Sequence, residues 1–455
     1  MCGIFGIYSY ENLNVSKKIY YGLFALQHRG QEGAGIAVSD GKNIGYYKNI
    51  GLVTEVFKDD ILQNLFGHIG IGHVRYSTTG IKSVENCQPF VVKSSFGQIA
   101  IAHNGDIVNS EELRIELEKK GHIFTSTSDS EVIAQLLVRE LLKTDDRIEA
   151  IKNVLDKLVG AYSLLIMFED CLVAVRDKHG FKPLCIGEDG ENIYVSSEDC
   201  ALTTLDVSFL KDVQPGEIVV INKDGMESYK ISNNNKATTC MFEYIYFARP
   251  DSTIDGISVY KVRRDIGKML AKEHPVSADL VSPIPDSGNA FAIGFAEESN
   301  IPYYEALIKN KYTGRTFILP SQNERELAVR LKLAPVRSLL ENKRVVLVDD
   351  SIVRGTTSKR IVNMVRKVGA KEVHLRIGCP RIISPCYYGI DMATKEELIA
   401  HNKSLEEIRK KLGVDSIGYI SIEGLLKAIG RKDLCLACLT GEYPTEINFK
   451  KVKNR

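Results

Sequence analysis

Three groupings of residues in this chain could do chemistry: a cysteine in second place, a pair of adjacent acids followed by a glycine and three hydroxyls, and a Cys-x-x-Cys near the end. The chain opens Met1-Cys2-Gly3-Ile4-Phe5-Gly6. With Met1 removed, Cys2 carries a thiol, ordinarily of pKa about 8.5, and a free α-amino group, ordinarily about 7.7–8.0. One residue then supplies both nucleophile and base near neutral pH. The plain alternative is a buried cysteine in a first strand, because Ile4-Phe5-Gly6-Ile7 is strand-like.

The second grouping is Val345-Val346-Leu347-Val348-Asp349-Asp350, then Ser351-Ile352-Val353-Arg354-Gly355-Thr356-Thr357-Ser358. It reads as a buried strand, two acids, a glycine turn and a helix. Such a turn offers backbone N–H groups and the positive end of a helix to a phosphate. Acids at a strand's carboxyl end can grip ribose hydroxyls or a hard cation. A strand leading into a helix capped by Ser or Thr explains the hydroxyls but leaves the paired acids unexplained. No G-x-x-x-x-G-K-[ST] run occurs. The third grouping, Cys435-Leu436-Ala437-Cys438, is open between zinc, redox and iron–sulfur roles on spacing alone.

These residues need elements to hold them. The first half has short strand-like runs (35–38, 69–74, 98–103, 162–167, 171–176) and two amphipathic helices, 111–119 and 129–142. This predicts a layered α+β unit of mainly antiparallel sheet. A polar break at 231–236 suggests a linker. Beyond it, helical stretches (262–272, 289–298, 358–368) alternate with apolar strands (280–284, 345–348), the pattern of a parallel α/β sheet. Domains at 2–231 and 240–455 are expected. Lys+Arg number 59 against 58 Asp+Glu, so bulk charge favours neither nucleic acid nor membrane as partner. No apolar run approaches the ~20 residues of a membrane span, and the start lacks a secretory pattern. A cytoplasmic, reducing location follows, where disulfides among the ten cysteines are disfavoured and clustered ones have metal or catalytic uses, while Cys87, Cys171, Cys185 and Cys200 have no partner motif and read as core residues.

The Asp349-Asp350 segment resembles the phosphoribosyl-pyrophosphate (PRPP) loop of type I phosphoribosyltransferases. That resemblance implies that Asp349 and Asp350 bind the ribose and Mg2+, and that Arg354, Gly355, Thr356, Thr357 and Ser358 take the 5′-phosphate. It makes Asp286-Ser287-Gly288 the pyrophosphate loop, with Ser287 also toward the metal. Lys309–Thr316, including Lys311, would be a flap that closes over PRPP and excludes water.

Four clusters of the first half, Gln27-His28-Arg29-Gly30, Gly72-His73-Val74-Arg75-Tyr76, His103-Asn104-Gly105 and Ser128-Asp129-Ser130, follow the N-terminal Cys-Gly-Ile-Phe-Gly in order. Individually each has an ordinary reading; Asn104-Gly105, for one, is a common hairpin turn. Jointly they resemble the glutamine amidotransferases of the N-terminal-nucleophile (Ntn) class, whose fold is an αββα sandwich of antiparallel sheets. The resemblance implies Cys2 as nucleophile, Asn104 and the Gly105 N–H as oxyanion donors, Arg75 and Asp129 on the glutamine zwitterion, and Arg29 in the loop that closes the pocket.

The two halves together resemble the glutamine PRPP amidotransferase family, in its iron–sulfur bacterial subgroup. This implies a 4Fe–4S cluster on Cys240, Cys386, Cys435 and Cys438, with Cys379 the competitor of Cys386. It also implies feedback inhibition by purine nucleotides and a homotetramer or dimer. Relatives bearing a cluster often have a propeptide, whereas methionine removal would suffice here. The competing classes are other Ntn amidotransferases, which need a different second domain, and a non-enzymatic PRPP sensor, which needs no Cys2. A dry ammonia passage completed by flap residues such as Phe317 and Leu319 is expected.

Overall fold

A computed structural model describes residues 1–455 except 12, 77–82, 232–236, 311–332, 393 and 448–455. Most of the flap, with Lys311, Phe317 and Leu319, and most of the linker therefore lie outside the described residues.

Two antiparallel sheets make the first half. One has seven strands in the spatial order 208–212, 185–188, 192–196, 3–9, 69–75, 33–39, 44–50. The other has six, in the order 225–230, 217–222, 172–176, 160–168, 97–107, 90–94. Alternation along the strands drives their packing. Ile4, Tyr8, Ile69 and Ile71 from one sheet interlock with Ala100, Ala102, Leu165 and Leu172 from the other. The opposite faces bury against helices: Ser110–Glu118, Asp129–Leu141 and Arg147–Leu155 on the six-stranded sheet, Ser16–Ala25 and Cys200–Thr204 on the seven-stranded one. The result is the αββα sandwich expected.

Asn104-Gly105 is not a hairpin turn. It sits inside strand Gly97–Ile107, with Asn104 opposite Ser163 and Gly105 opposite Tyr162. A glycine is required there because a Cβ at Gly105 would lie 1.9 Å from the Ala161 carbonyl oxygen.

In the second half, strands Leu280–Pro283, Arg344–Asp349, Glu372–Ile377 and Ser416–Tyr419 form a parallel sheet in that order. Strand 372–377 escaped the sequence reading because His374 and Arg376 interrupt its apolar run, yet both are buried. The helices Val259–Glu273, Asn289–Ser299 and Thr356–Lys367 cover the sheet, joined by Leu405–Leu412 and Ile422–Ile429.

The halves share a small core of Ala161, Phe181, Tyr388, Cys435 and Ala437. Phe181 stacks on Tyr388 with ring centroids 4.3 Å apart. The next residue, Gly389, packs so closely that a Cβ there would stand 3.0 Å from Gly105.

Candidate active sites

The first strand delivers Cys2 to the end of the seven-stranded sheet, beside the ends of strands Ile69–Arg75 and Gly33–Ser39. The Cys2 backbone N donates to Asn104 Oδ1 at 3.0 Å. Asn104 is fully buried, and its Nδ2 has no hydrogen-bond partner. One half of that amide therefore holds the nucleophile's backbone while the other remains a free donor. The Tyr76 N–H donates to the Cys2 sulfur at 3.5 Å.

Burial raises the Cys2 thiol pKa; the terminal amine, the Tyr76 N–H and Arg75 pull it back, and Asp129 adds to the rise. Burial likewise lowers the Met1 α-amino group to about 5.

Arg75 and Asp129 both act on the thiol, which places one cation and one anion around it. Arg75 is 6 % exposed and 4.0 Å from Glu32. Asp129 opens its helix, but Ser128 is the cap, its side chain accepting from Ser130 N. The Asp129 carboxylate is left to accept from Ile107 N at 2.9 Å and to stand 3.8 Å from His103 Nδ1.

Arg29 does not line the pocket mouth. It is wholly buried behind Cys2, with Nε donating to the Cys2 carbonyl oxygen at 3.0 Å. Its remaining donors go to Glu198 at 2.5 Å and, in a two-point contact, to Glu243 at 2.9 and 3.0 Å. The sequence reading missed both glutamates. Neither stands in a recognisable spacing with Arg29, and only the fold brings them together.

A second site forms where strands Leu280–Pro283 and Arg344–Asp349 run side by side, Pro283 paired with Val348. Their carboxyl ends put the 285–288 loop against the Asp349-Asp350 pair. A Cβ at Gly288 would come within 2.4 Å of the Val348 carbonyl oxygen. Asp349 and Asp350 are 9 % and 4 % exposed. Burial and the neighbouring Asp350 charge raise the Asp349 pKa. Among the described residues neither acid has a cationic partner within 4.0 Å. Asp286 is exposed and pairs with Lys309, and Arg354 pairs with Glu397 at 2.9 Å. The following helix starts at Gly355, φ +77°, with no side-chain cap, so the Ser/Thr-cap explanation fails. Thr356 and Thr357 are exposed; Ser358 is buried.

The four predicted cysteines converge from three segments. Cys240 and Cys435 are register partners in a short parallel bridge, and the Cys438 carbonyl accepts from Ile383 and Ser384, just before Cys386. All four are free thiols. Burial is the main cause of their raised pKa values, which puts Cys240 at about 11. Backbone N–H groups two residues on, from Phe242, Tyr388 and Ala437, point to three of the sulfurs. Cys379 is a further buried thiol near Cys438. Among the described residues, no three His, Cys, Asp or Glu side chains converge as ligands of a single ion. Nor is any described helix long and apolar enough to cross a membrane.

A family model described as a glutamine amidotransferase domain matches residues 73–204. The chain is 78 % identical to the amidophosphoribosyltransferase of Methanocaldococcus jannaschii, with all of both chains covered. It is 51 % identical to that of Bacillus subtilis, covering 98 % of this chain and 94 % of the other. The solved glutamine PRPP amidotransferase of B. subtilis, complexed with ADP and GMP, superposes with a TM-score of 0.93 at 50 % identity and 98 % coverage of each chain.

Proposed function

The chain belongs to the amidophosphoribosyltransferase family, and from that membership we infer how its residues divide the work. Glutamine, PRPP and water give 5-phosphoribosylamine, glutamate and pyrophosphate, the first step of de novo purine synthesis. The observation that carries the reading is the split duty of Asn104, whose Oδ1 holds Cys2 while its buried Nδ2 stays unpartnered.

With Met1 removed, the neutral Cys2 amine takes the thiol proton as Sγ attacks the glutamine amide carbon. Asn104 Nδ2 and the Gly105 N–H receive the oxyanion. Arg75 and Asp129 bind the α-carboxylate and α-amino group. The C–N bond breaks, ammonia leaves with the transferred proton, and water cleaves the thioester to glutamate. In the second domain Asp349 and Asp350 hold the ribose of PRPP, and residues 354–358 its 5′-phosphate. Asp286, Ser287, Gly288 and the flap lysine Lys311 hold its pyrophosphate. The ammonia lone pair attacks C1 as the C1–O bond to pyrophosphate breaks. Two buried carboxylates lacking a cation fit a divalent ion by hard oxygen donors; Mg2+, with Ser287 as a third donor, would neutralise charge on the leaving pyrophosphate.

A single zinc ion needs all its thiolates about 2.3 Å from one point, which this cysteine set does not offer. A larger body held by buried sulfurs that receive N–H donors suits an iron–sulfur cluster. Cys240, Cys386, Cys435 and Cys438 would hold it. Cys386 is favoured over Cys379 because the Tyr388 and Ile390 N–H groups serve its sulfur. Bound there, the group fastens the C-terminal segment to the start of the second domain rather than carrying electrons. The reading also includes the 2–231 and 240–455 division, a cytoplasmic tetramer or dimer, and inhibition by purine nucleotides.

The test is an anaerobic assay of glutamate release with and without PRPP, in wild type and Cys2→Ala. Strong PRPP stimulation, abolished by the substitution while ammonia-dependent synthesis survives, supports two coupled sites. Release indifferent to PRPP overturns the second-site assignment.

A further inference from the structure

The Arg29 network crosses between the two domains in both directions. Arg29, Glu198 and Glu243 have fully buried side chains. Glu198, from the first domain, accepts from Arg249 N at 2.9 Å and Ser252 Oγ at 2.6 Å, both in the second. Glu243, from the second, completes Arg29 in the first. The nucleophile's carbonyl is therefore held by an arginine whose own position depends on the other domain.

Glu243 is also the first residue of a π-helical turn, Glu243–Phe247. Such turns are rare and frequently sit at functional sites. The turn is braced by Arg263, 3 % exposed on helix Val259–Glu273, whose Nε donates to the Tyr244 carbonyl at 2.9 Å and Nη2 to the Ala248 carbonyl at 2.8 Å. Among the described residues Arg263 makes no salt bridge within 4.0 Å.

We propose that Glu243 is a positioning residue for Cys2, its carboxylate carried by the Arg263-braced turn and aiming Arg29 at the Cys2 carbonyl. The proposal rests on the two-site reading above. Its physical content is local. Arg263 holds both ends of the turn, and the turn carries the carboxylate that aims Arg29 at the Cys2 carbonyl. Contiguity alone does not demonstrate coupling, so the test must measure it.

Glu243→Gln keeps the shape and removes the charge. The reconstituted holoenzyme would be assayed for glutaminase kcat and KM, for ammonia-dependent synthesis, and for the rate at which iodoacetamide alkylates Cys2. The expected result is a glutaminase kcat and an alkylation rate each lowered at least tenfold, with KM for glutamine and ammonia-dependent synthesis within twofold of wild type. A merely structural role would lower both syntheses together, or leave alkylation unchanged; either result overturns the proposal. Arg263→Lys keeps the charge but cannot span both carbonyls, and serves should the first variant not fold. Glutaminase kcat and the alkylation rate should each fall at least threefold in it, and unchanged values overturn the bracing role. Glutaminase surviving in Cys2→Ala would instead mark failure of the underlying two-site reading.

Discussion

Replacing Asn104 by alanine should separate its two duties. The truncation removes Nδ2, the free buried donor, and the 3.0 Å bond from Oδ1 to the Cys2 N. Loss of one oxyanion donor costs about 2.7–4 kcal/mol of barrier. Loss of an ordinary hydrogen bond adds about 0.5–1.5 kcal/mol. At about 1.4 kcal/mol per tenfold in rate, glutaminase kcat should fall by about 10² to 10⁴. The donor meets the oxyanion only as it forms, so KM for glutamine should change little. Steady-state glutamate release in the presence of PRPP reads both constants, and ammonia-dependent synthesis in the same preparation controls for the fold. Asn104→Asp sharpens the comparison: it keeps the acceptor for the Cys2 N but places a negative charge where the oxyanion forms. It should be at least as inactive as the alanine variant, although nearly isosteric. A rise in KM with kcat unchanged, or an aspartate variant close to wild type, would refute the oxyanion assignment.

Gly105→Ala should abolish glutaminase and spare ammonia-dependent synthesis, since its Cβ would meet the Ala161 carbonyl oxygen at 1.9 Å; parallel loss of both activities would contradict this. Asp349, whose pKa is raised by burial and by Asp350, binds its proton more tightly folded than unfolded. Its ionisation therefore destabilises the ligand-free protein as pH rises from the ordinary carboxylate range through the raised value. Asp349→Asn should accordingly raise Tm at pH 7, by about 2–4 °C per kcal/mol relieved, while PRPP-dependent synthesis is lost; a lowered Tm at pH 7 speaks against the reasoning. Phe181→Ala removes the stack on Tyr388, a large-to-small core change worth about 3–5 kcal/mol, and denaturant melts should show it. Cys438→Ser should remove bound iron and visible absorption together and lower Tm; full iron content in that variant would exclude Cys438 as a ligand.

The sequence made the chemistry easier to read than the scaffolding. Cys2, Asn104, Arg75 and Asp129 fall in short clusters whose order alone suggests one pocket, and the structure gathers them. The strands 280–283 and 344–349 stand out because both faces are buried and their runs are mostly apolar, with Ser282 the one polar residue inside them. Strand 372–377 did not, because buried His374 and Arg376 find partners in Ser416 and the His274 carbonyl that no local pattern reveals. Helices Arg147–Leu155 and Leu405–Leu412 are short and rich in charge, so their apolar stripes are brief. Asn104-Gly105 misled in the other direction, since a turn-forming pair here serves a close approach between strands. Arg29 was legible as important but not as buried; its partners lie 169 and 214 residues away, and long-range charge pairing leaves no periodicity.

The exchange of carboxylates across the domain boundary bears on how such a chain can be inherited. If either half were fused to a foreign partner, it would carry buried charges whose counterparts had stayed behind. Breaking a buried pair in this way costs about 3–5 kcal/mol, a large share of the stability a domain ordinarily has. A crossover anywhere between residues 29 and 252 divides Arg29, Glu198, Glu243 and Ser252 between two parents. Exchange of whole halves is tolerated only between lineages that kept the same four residues. The stretch that looks like a simple joint in the sequence thus lies inside a network of buried charge that binds both sides of it.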